Sequence, residues 1–301
     1  MPLNLRLSVS ALIRKYRWVP ALAVFVCVAT FVAVVVDGMS RTWILGSVTA
    51  LAFACYVWGY AVRAARAQRP FGYPSLLNLP RRHYSEVWDA LAASPELARA
   101  AATGRRDEAD VRRSARIPVK NLTELGRVQP TDDILEFGCG VARIGLELAP
   151  LCHTWTGADL STNMLATAAE RLQGVTNVRL VKLQQVGLDE FESNSFDLVY
   201  STSMLDHIDG MDRWRYVKDA FRVLRPGGRL CIDNIDLECE EGWKAFFKDS
   251  ESYQKLERVP YQPTPTTGAE LTTYALRAGF AQVQAHKRAP VVIVTAVKPV
   301  S

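Results

Sequence analysis

The stretch ILEFGCGVARIG, residues 134–145, constrains this chain more than any other. An apolar pair, Ile134 and Leu135, runs into an acid, Glu136, and glycines follow at Gly138 and Gly140. A short helical pattern over 141–151 comes next. Together these spell a buried strand, a tight turn and the first turn of a helix. Glycine at such a turn admits φ > 0 and lets a ligand approach bare main chain. The start of the helix offers unpaired N–H groups. A turn built this way suits a nucleoside-type cofactor. A dinucleotide fingerprint needs a third glycine three residues after the second. Arg143 holds that place, where a long side chain crowds a pyrophosphate even as its charge attracts one. A P-loop needs Gly-Lys-Ser/Thr at a spacing that is absent.

From residue 134 onward strand and helix patterns alternate, which predicts an α/β domain with a parallel sheet and helices on both faces. Later strands are expected at 154–160, 178–183, 196–202 and 229–233. Helices are expected at 161–173, with Ser161 as cap, and at 211–224, 242–258 and 268–278. The 211–224 helix should stop at Pro226-Gly227-Gly228, and an antiparallel pair at 282–287 and 291–297 should close the sheet. Asp159 ends the second strand about 20 residues past the glycine turn. There an acid can accept two hydrogen bonds from ribose hydroxyls, or cap the next helix.

These residues resemble the class I S-adenosylmethionine-dependent methyltransferases. Their first motif reads acid-x-G-x-G-x-G, which Glu136, Gly138 and Gly140 match, with Ala142 in place of the last glycine. TGADLSTNML, holding Asp159 and Leu160, is similar to the second motif. NSFDLVYSTSMLDHID, holding Ser201, is similar to the fourth-strand motif. LRPGGRLCI and ELTTYALRAGF are similar to the helix-turn-strand and last helix of the family. The resemblance covers roughly residues 110–300 in the family's order. It implies a Rossmann-like seven-stranded sheet with a terminal hairpin, and S-adenosyl-L-methionine as cofactor. It also implies Glu136, Gly138, Gly140, Asp159, Leu160, Gln184, Gln185 and Ser201 as the residues that hold it. Gln184 and Gln185 stand where the family has an acid toward the adenine amino group; an amide oxygen can accept the same bond. Glu136 either holds the amino group of the methionine part or is a helix-facing polar residue. Arg143 either bonds the methionine carboxylate or lies at the surface.

Methyl transfer mostly requires alignment of cofactor and acceptor, and a base only when the acceptor carries a hydroxyl or similar proton. His207 and Asp206, just past the fourth strand, are the expected catalytic pair, because strand C-termini face the crevice of such sheets. The plainer reading of His207 is a pocket wall. Asp233, Asn234 and Asp236 are weaker candidates. No NPPY-like tetrapeptide follows the fourth strand, which argues against methylation of nucleic-acid bases or protein amides.

The chain has 301 residues, nearly half of them apolar, and a formal net charge of +5. Residues 18–36 and 42–62 contain no charged side chain. At 1.5 Å per residue, about 19 helical residues span roughly 28 Å, close to the hydrocarbon core of a bilayer. The short segment between the runs makes them an antiparallel transmembrane hairpin over 18–63, preceded by a basic segment, 1–17. Trp18, Trp43, Trp58 and Tyr60 sit at interfacial depths. Arginines and a lysine before the first run, and arginines after the second, orient both ends to the cytoplasm. A proline-rich linker, 64–82, leads to a methyltransferase domain, 83–301, whose cap, 83–128, should hold helices over 83–104 and 111–125. The basic excess lies beside the apolar runs, so membrane topology, not nucleic acid, accounts for it. The six cysteines form no C-x-x-C pair, and no metal site is expected from four scattered histidines.

The expectation is a multi-pass membrane protein with a cytoplasmic methyltransferase domain acting on a small molecule, a lipid or membrane-partitioned metabolite. The alternatives are a soluble acceptor, with the hairpin used only for location, and a non-catalytic S-adenosylmethionine-binding membrane module.

Overall fold

The computed structural model describes residues 83–252 and 261–300. The basic segment, the hairpin over 18–63 and the linker lie outside the described residues. Among the described residues no helix is long and apolar enough to cross a membrane.

Seven strands form one sheet in the order β3-β2-β1-β4-β5-β7-β6. They are β1 (Asp133–Phe137), β2 (Thr154–Asp159), β3 (Val178–Lys182), β4 (Phe196–Ser201), β5 (Leu224–Ile235), β6 (Ala281–Arg288) and β7 (Val291–Val297). The first five pair in parallel, and β7 runs antiparallel to both β5 and β6, as the closing pattern predicts. The chain order reverses between β1 and β4, so a crevice opens at their C-terminal ends.

Because side chains alternate along a strand, β1 feeds two separate cores. Leu135 and Phe137 join Val199, Leu230 and Ile232 on one face, under Tyr216, Val217 and Ala220 of helix α6 (Gly210–Val223) and Leu271 and Ala275 of α8 (Gly268–Ala278). Ile134 joins Trp155, Leu198 and Tyr200 on the other face, under Leu122 of α3 (Glu108–Glu124) and Ala168 of α5 (Thr162–Arg171). Each fully buried Leu or Ile in these layers contributes on the order of 1.5–3 kcal/mol relative to exposure.

Local chemistry sets most element ends. The Ser161 hydroxyl accepts the N–H of Met164 at 3.0 Å and caps α5, as its position in the sequence suggests. Asp107 and Thr267 cap α3 and α8 in the same way. The expected helix over 83–104 is two helices, α1 (Tyr84–Leu91) and α2 (Pro95–Thr103). Ser94 caps the second and Pro95 occupies its first turn, where a missing N–H costs nothing.

Two further expectations need correction. The helix after the glycine turn does not begin at Val141: residues 140–144 are turn, and the short helix α4 spans Gly145–Leu148 before a 3₁₀ turn, Ala149–Leu151. Ala142 has φ +52°, a left-handed backbone that interrupts the helical path. Strand β5 begins at Leu224, not Arg229. Leu224 is fully buried and pairs with Phe196, and the register then shifts before Leu198 meets Arg229. The Pro-Gly-Gly segment is held by Lys298: Gly227 donates to its carbonyl and Gly228 accepts its N–H, each at 2.8 Å.

Candidate active site

A cleft of about 810 Å³, counted out to open solvent, lies over the C-terminal ends of β1, β2 and β4. Glu136, Gly138, Gly140, Asp159, Leu160 and His207 line it, so six of the residues singled out from sequence meet in one place.

The glycine turn and the acid of β2 are one unit. Asp159 accepts the N–H of Gly140 through one carboxylate oxygen and the N–H of Ser161 through the other, each at 2.8 Å. Burial raises its pKa, and these two backbone bonds act against the rise. Gly138 has φ +71°, and a Cβ there would lie 2.2 Å from Met204 Cγ. The turn therefore needs glycine for its backbone and for the side chain packed over it.

Glu136 ends β1 opposite Tyr200 of β4. The Tyr200 hydroxyl donates to its carboxyl at 2.5 Å and receives the Trp155 indole N–H at 3.0 Å. Burial pushes the Glu136 carboxyl up to about 8, with Tyr200 and the nearby Arg143 opposing that shift. Arg143 also lines the cleft and donates to the Ser114 carbonyl of α3 at 2.8 Å. It is part of the site, not of the outer surface.

His207 sits in a 3₁₀ turn, Leu205–His207, immediately after β4. Its Nδ1 lies 2.8 Å from the carbonyl oxygen of Tyr261. A carbonyl only accepts, so Nδ1 carries the proton and Nε2 presents a lone pair. Nε2 is 3.7 Å from a carboxylate oxygen of Asp206, and the Trp88 ring meets the imidazole edge-on at 4.9 Å between centroids. Asp206 is buried and does not line the cleft, and its carboxylate lies on the Nε2 side of His207. Asp233 accepts the N–H of Ser203 at 2.8 Å, and burial pushes its carboxyl up to about 7.

Three residues expected at the cofactor are placed elsewhere. Gln184 and Gln185 are exposed and absent from the cleft lining. The Gln184 N–H donates to Glu190, and the Gln185 amide donates to Asp189, each at 2.7 Å. The loop after β3 thus folds onto its own acids. Ser201 is buried and donates to the Phe137 carbonyl at 2.9 Å, tying β4 to β1.

The cleft also draws on residues that the sequence reading passed over. Tyr84 and Trp88, one helical turn apart on α1, form a wall. The Tyr84 hydroxyl donates to Asp212 at 2.8 Å and accepts the Asp209 N–H at 3.1 Å, which fastens α1 to the start of α6. Their i,i+4 spacing was a readable signal of a shared face. Thr202, Ser203 and Met204 follow β4 into the cleft. Thr202 Oγ1 is buried there without a hydrogen-bond partner.

That orphaned hydroxyl, the buried acids Glu136 and Asp159, and a glycine turn with close-packed backbone make a donor and acceptor set that fits an amino-acid-bearing nucleoside. The comparisons with known proteins agree. Residues 135–232 match the family model described as a methyltransferase domain. The demethylmenaquinone methyltransferase of Listeria welshimeri is 34% identical over 135 residues, covering 42% of this chain and 55% of that protein. Phosphoethanolamine N-methyltransferase 2 of Caenorhabditis elegans is 31% identical over 119 residues, 38% of this chain and 26% of that protein. The chain thus spans about half the length, or less, of these curated relatives. The structure of Haemonchus contortus phosphoethanolamine N-methyltransferase 2, bound to phosphomonomethylethanolamine and S-adenosylhomocysteine, shares the fold with a TM-score of 0.50 and 20% identity, covering 61% of this chain and 52% of that one. Residues 135–232 are thus similar to a methyltransferase domain.

Proposed function

We propose that the whole chain is a methyltransferase that carries a methyl group from S-adenosyl-L-methionine to a small, membrane-partitioned acceptor. One observation carries this reading: a single cleft joins the glycine turn and two strand-ending acids to an imidazole whose free nitrogen is fixed. Bound S-adenosylmethionine supplies an electrophilic methyl on a sulfonium. The chain's own residues bind and align. Glu136 offers carboxyl oxygens to the ammonium, and Arg143 a guanidinium to the carboxylate, of the methionine part. Asp159 retains lone pairs for ribose hydroxyls while its two backbone bonds hold the turn. Thr202 Oγ1 has an open hydrogen-bond site.

On the other side of the cleft His207 Nε2 takes the proton of an acceptor hydroxyl as the new bond to carbon forms. The Tyr261 carbonyl fixes the tautomer. Trp88 and Tyr84 close the wall with ring surface suited to an apolar acceptor. The uncharged runs at 18–36 and 42–62 support a membrane anchor, and the flanking basic residues support a cytoplasmic domain.

The relatives are named for quite different acceptors, so the acceptor follows from this chain's own cleft and anchor. The test is incubation of the full-length chain with S-adenosylmethionine and either the lipid or the aqueous fraction of its host cells. Release of S-adenosylhomocysteine that needs the lipid fraction supports the proposal. Release with the aqueous fraction alone removes the membrane acceptor, and no release with either removes the enzyme.

A further inference from the structure

Helix α7 (Glu240–Ser252) is inserted between β5 and α8, and it carries an apolar face that nothing in the described structure covers. Of its residues whose burial is described, only Gly242 is buried. Trp243, Phe246 and Phe247 are 50%, 38% and 49% exposed. Their i, i+3, i+4 spacing puts them on one side of the helix, and the Trp243 and Phe246 rings lie 5.5 Å apart. Glu241, Ala245 and Lys248 fall on the opposite side, and Glu240 and Lys244 flank the aromatics. Adjacent exposed aromatics of this kind mark an interaction surface.

The helix is also held firmly at its start. The Gly242 N–H donates to Cys239 Sγ at 3.3 Å, and a Cβ at Gly242 would lie 2.0 Å from the Asp236 carbonyl oxygen. Its first turn is therefore pressed against the chain leaving β5.

We infer that α7 is an interfacial helix that lays Trp243, Phe246 and Phe247 into the surface of a lipid bilayer. The inference rests on the membrane anchor proposed above. That anchor ends at Val62, and about 20 residues join it to His83, a reach of at most roughly 70 Å of extended chain. The bilayer is thus within range of α7. Aromatic side chains on one face and charged side chains around the rest fit a helix lying in the interface plane. The polar side is mixed in charge, with Lys244 paired to Glu240 at 3.1 Å, so aromatic insertion and not attraction to anionic headgroups drives the contact. Past the helix, Tyr261 and Thr264 return to His207 and Asp206. A docked α7 brings the rim of the cleft to the depth where a lipid-like acceptor resides.

The test uses the full-length chain in phosphatidylcholine vesicles, carrying the photo-crosslinking substitution Phe247→p-benzoylphenylalanine or, as the opposite-face comparison, Ala245→p-benzoylphenylalanine. The first should form lipid adducts and the second should not. Trp243→p-benzoylphenylalanine repeats the measurement if the Phe247 variant fails to fold. A chain that floats with the vesicles but gives only protein adducts at these aromatic positions, or lipid adducts on both faces alike, overturns the docking of α7 and leaves the anchor standing. A chain that does not float with vesicles overturns both.

Discussion

The backbone N–H of Gly140 donates to the carboxylate of Asp159 at 2.8 Å, so the acid ending β2 shapes the turn that follows β1. Removing it acts twice, on the ligand and on the turn. Asp159→Ala should weaken S-adenosylmethionine binding roughly tenfold to a hundredfold. It should also cost about 1–3 kcal/mol of stability through the two N–H groups left without their acceptor. Calorimetric titration and thermal melts measure the two effects separately. Unchanged affinity in a folded variant would remove Asp159 from the cofactor site.

Gly138→Ala places a Cβ against Met204 on a backbone with φ +71°. The left-handed conformation alone costs roughly 1–2 kcal/mol for a residue with a side chain. A lower melting temperature, together with weaker cofactor binding, is the expected result. A variant as stable as the parent would show that the turn adapts more easily than its packing implies.

Glu136 links folding to pH. Burial raises its carboxyl from 4.5 to about 8, and Asp233 moves in the same direction, from 3.8 to about 7. The folded chain therefore holds more protons than the unfolded chain between these values, and the stability they confer is lost as pH rises. For Glu136 that window runs from 4.5 to about 8. Glu136→Gln should flatten the fall in melting temperature across it, leaving the smaller window of Asp233. Parallel pH curves for variant and parent would refute the linkage.

His207→Ala should lower kcat by about 10²–10⁴-fold, the usual contribution of a positioned base, with cofactor affinity within a few-fold of the parent. Asp206→Asn, which removes the charge beside Nε2 without touching the cleft lining, should lower kcat less. A variant at His207 that changes only KM for the acceptor identifies a pocket wall.

Gln184→Ala and Gln185→Ala should each leave cofactor affinity within a few-fold, because both residues are exposed and outside the cleft lining, and the Gln185 amide is turned to Asp189. A loss of tenfold or more at either position would mean that the loop after β3 rearranges around the adenine.

The sheet was legible because its inner strands carry apolar residues in runs, as in Leu198–Val199–Tyr200 of β4 and Val291–Val294 of β7, with turn signals between them. Glu136, Asp159 and the turn holding His207 were each readable at the C-terminal ends of strands, and β2, β1 and β4 lie side by side in the sheet. The errors arose where tertiary contacts outweighed local pattern. Leu224 enters the sheet because the core takes its side chain, although Pro226-Gly227-Gly228 reads as the boundary. Ala142 turns left-handed in a sequence that reads as helix. Gln184 and Gln185 were placed by analogy alone, and nothing local announced that Glu190 and Asp189 would engage them. Tyr84 and Trp88 were unreadable as cleft walls because their role depends on α1 folding back over β2 and β4.

The carbonyl that sets the imidazole tautomer belongs to Tyr261, outside the matched segment 135–232, whereas His207 belongs within it. The segment that matches the methyltransferase domain thus supplies the imidazole, and the segment between β5 and α8 decides which of its nitrogens is free. A different segment between β5 and α8 would therefore move the free nitrogen of the histidine while leaving the residues that line the cleft as they are.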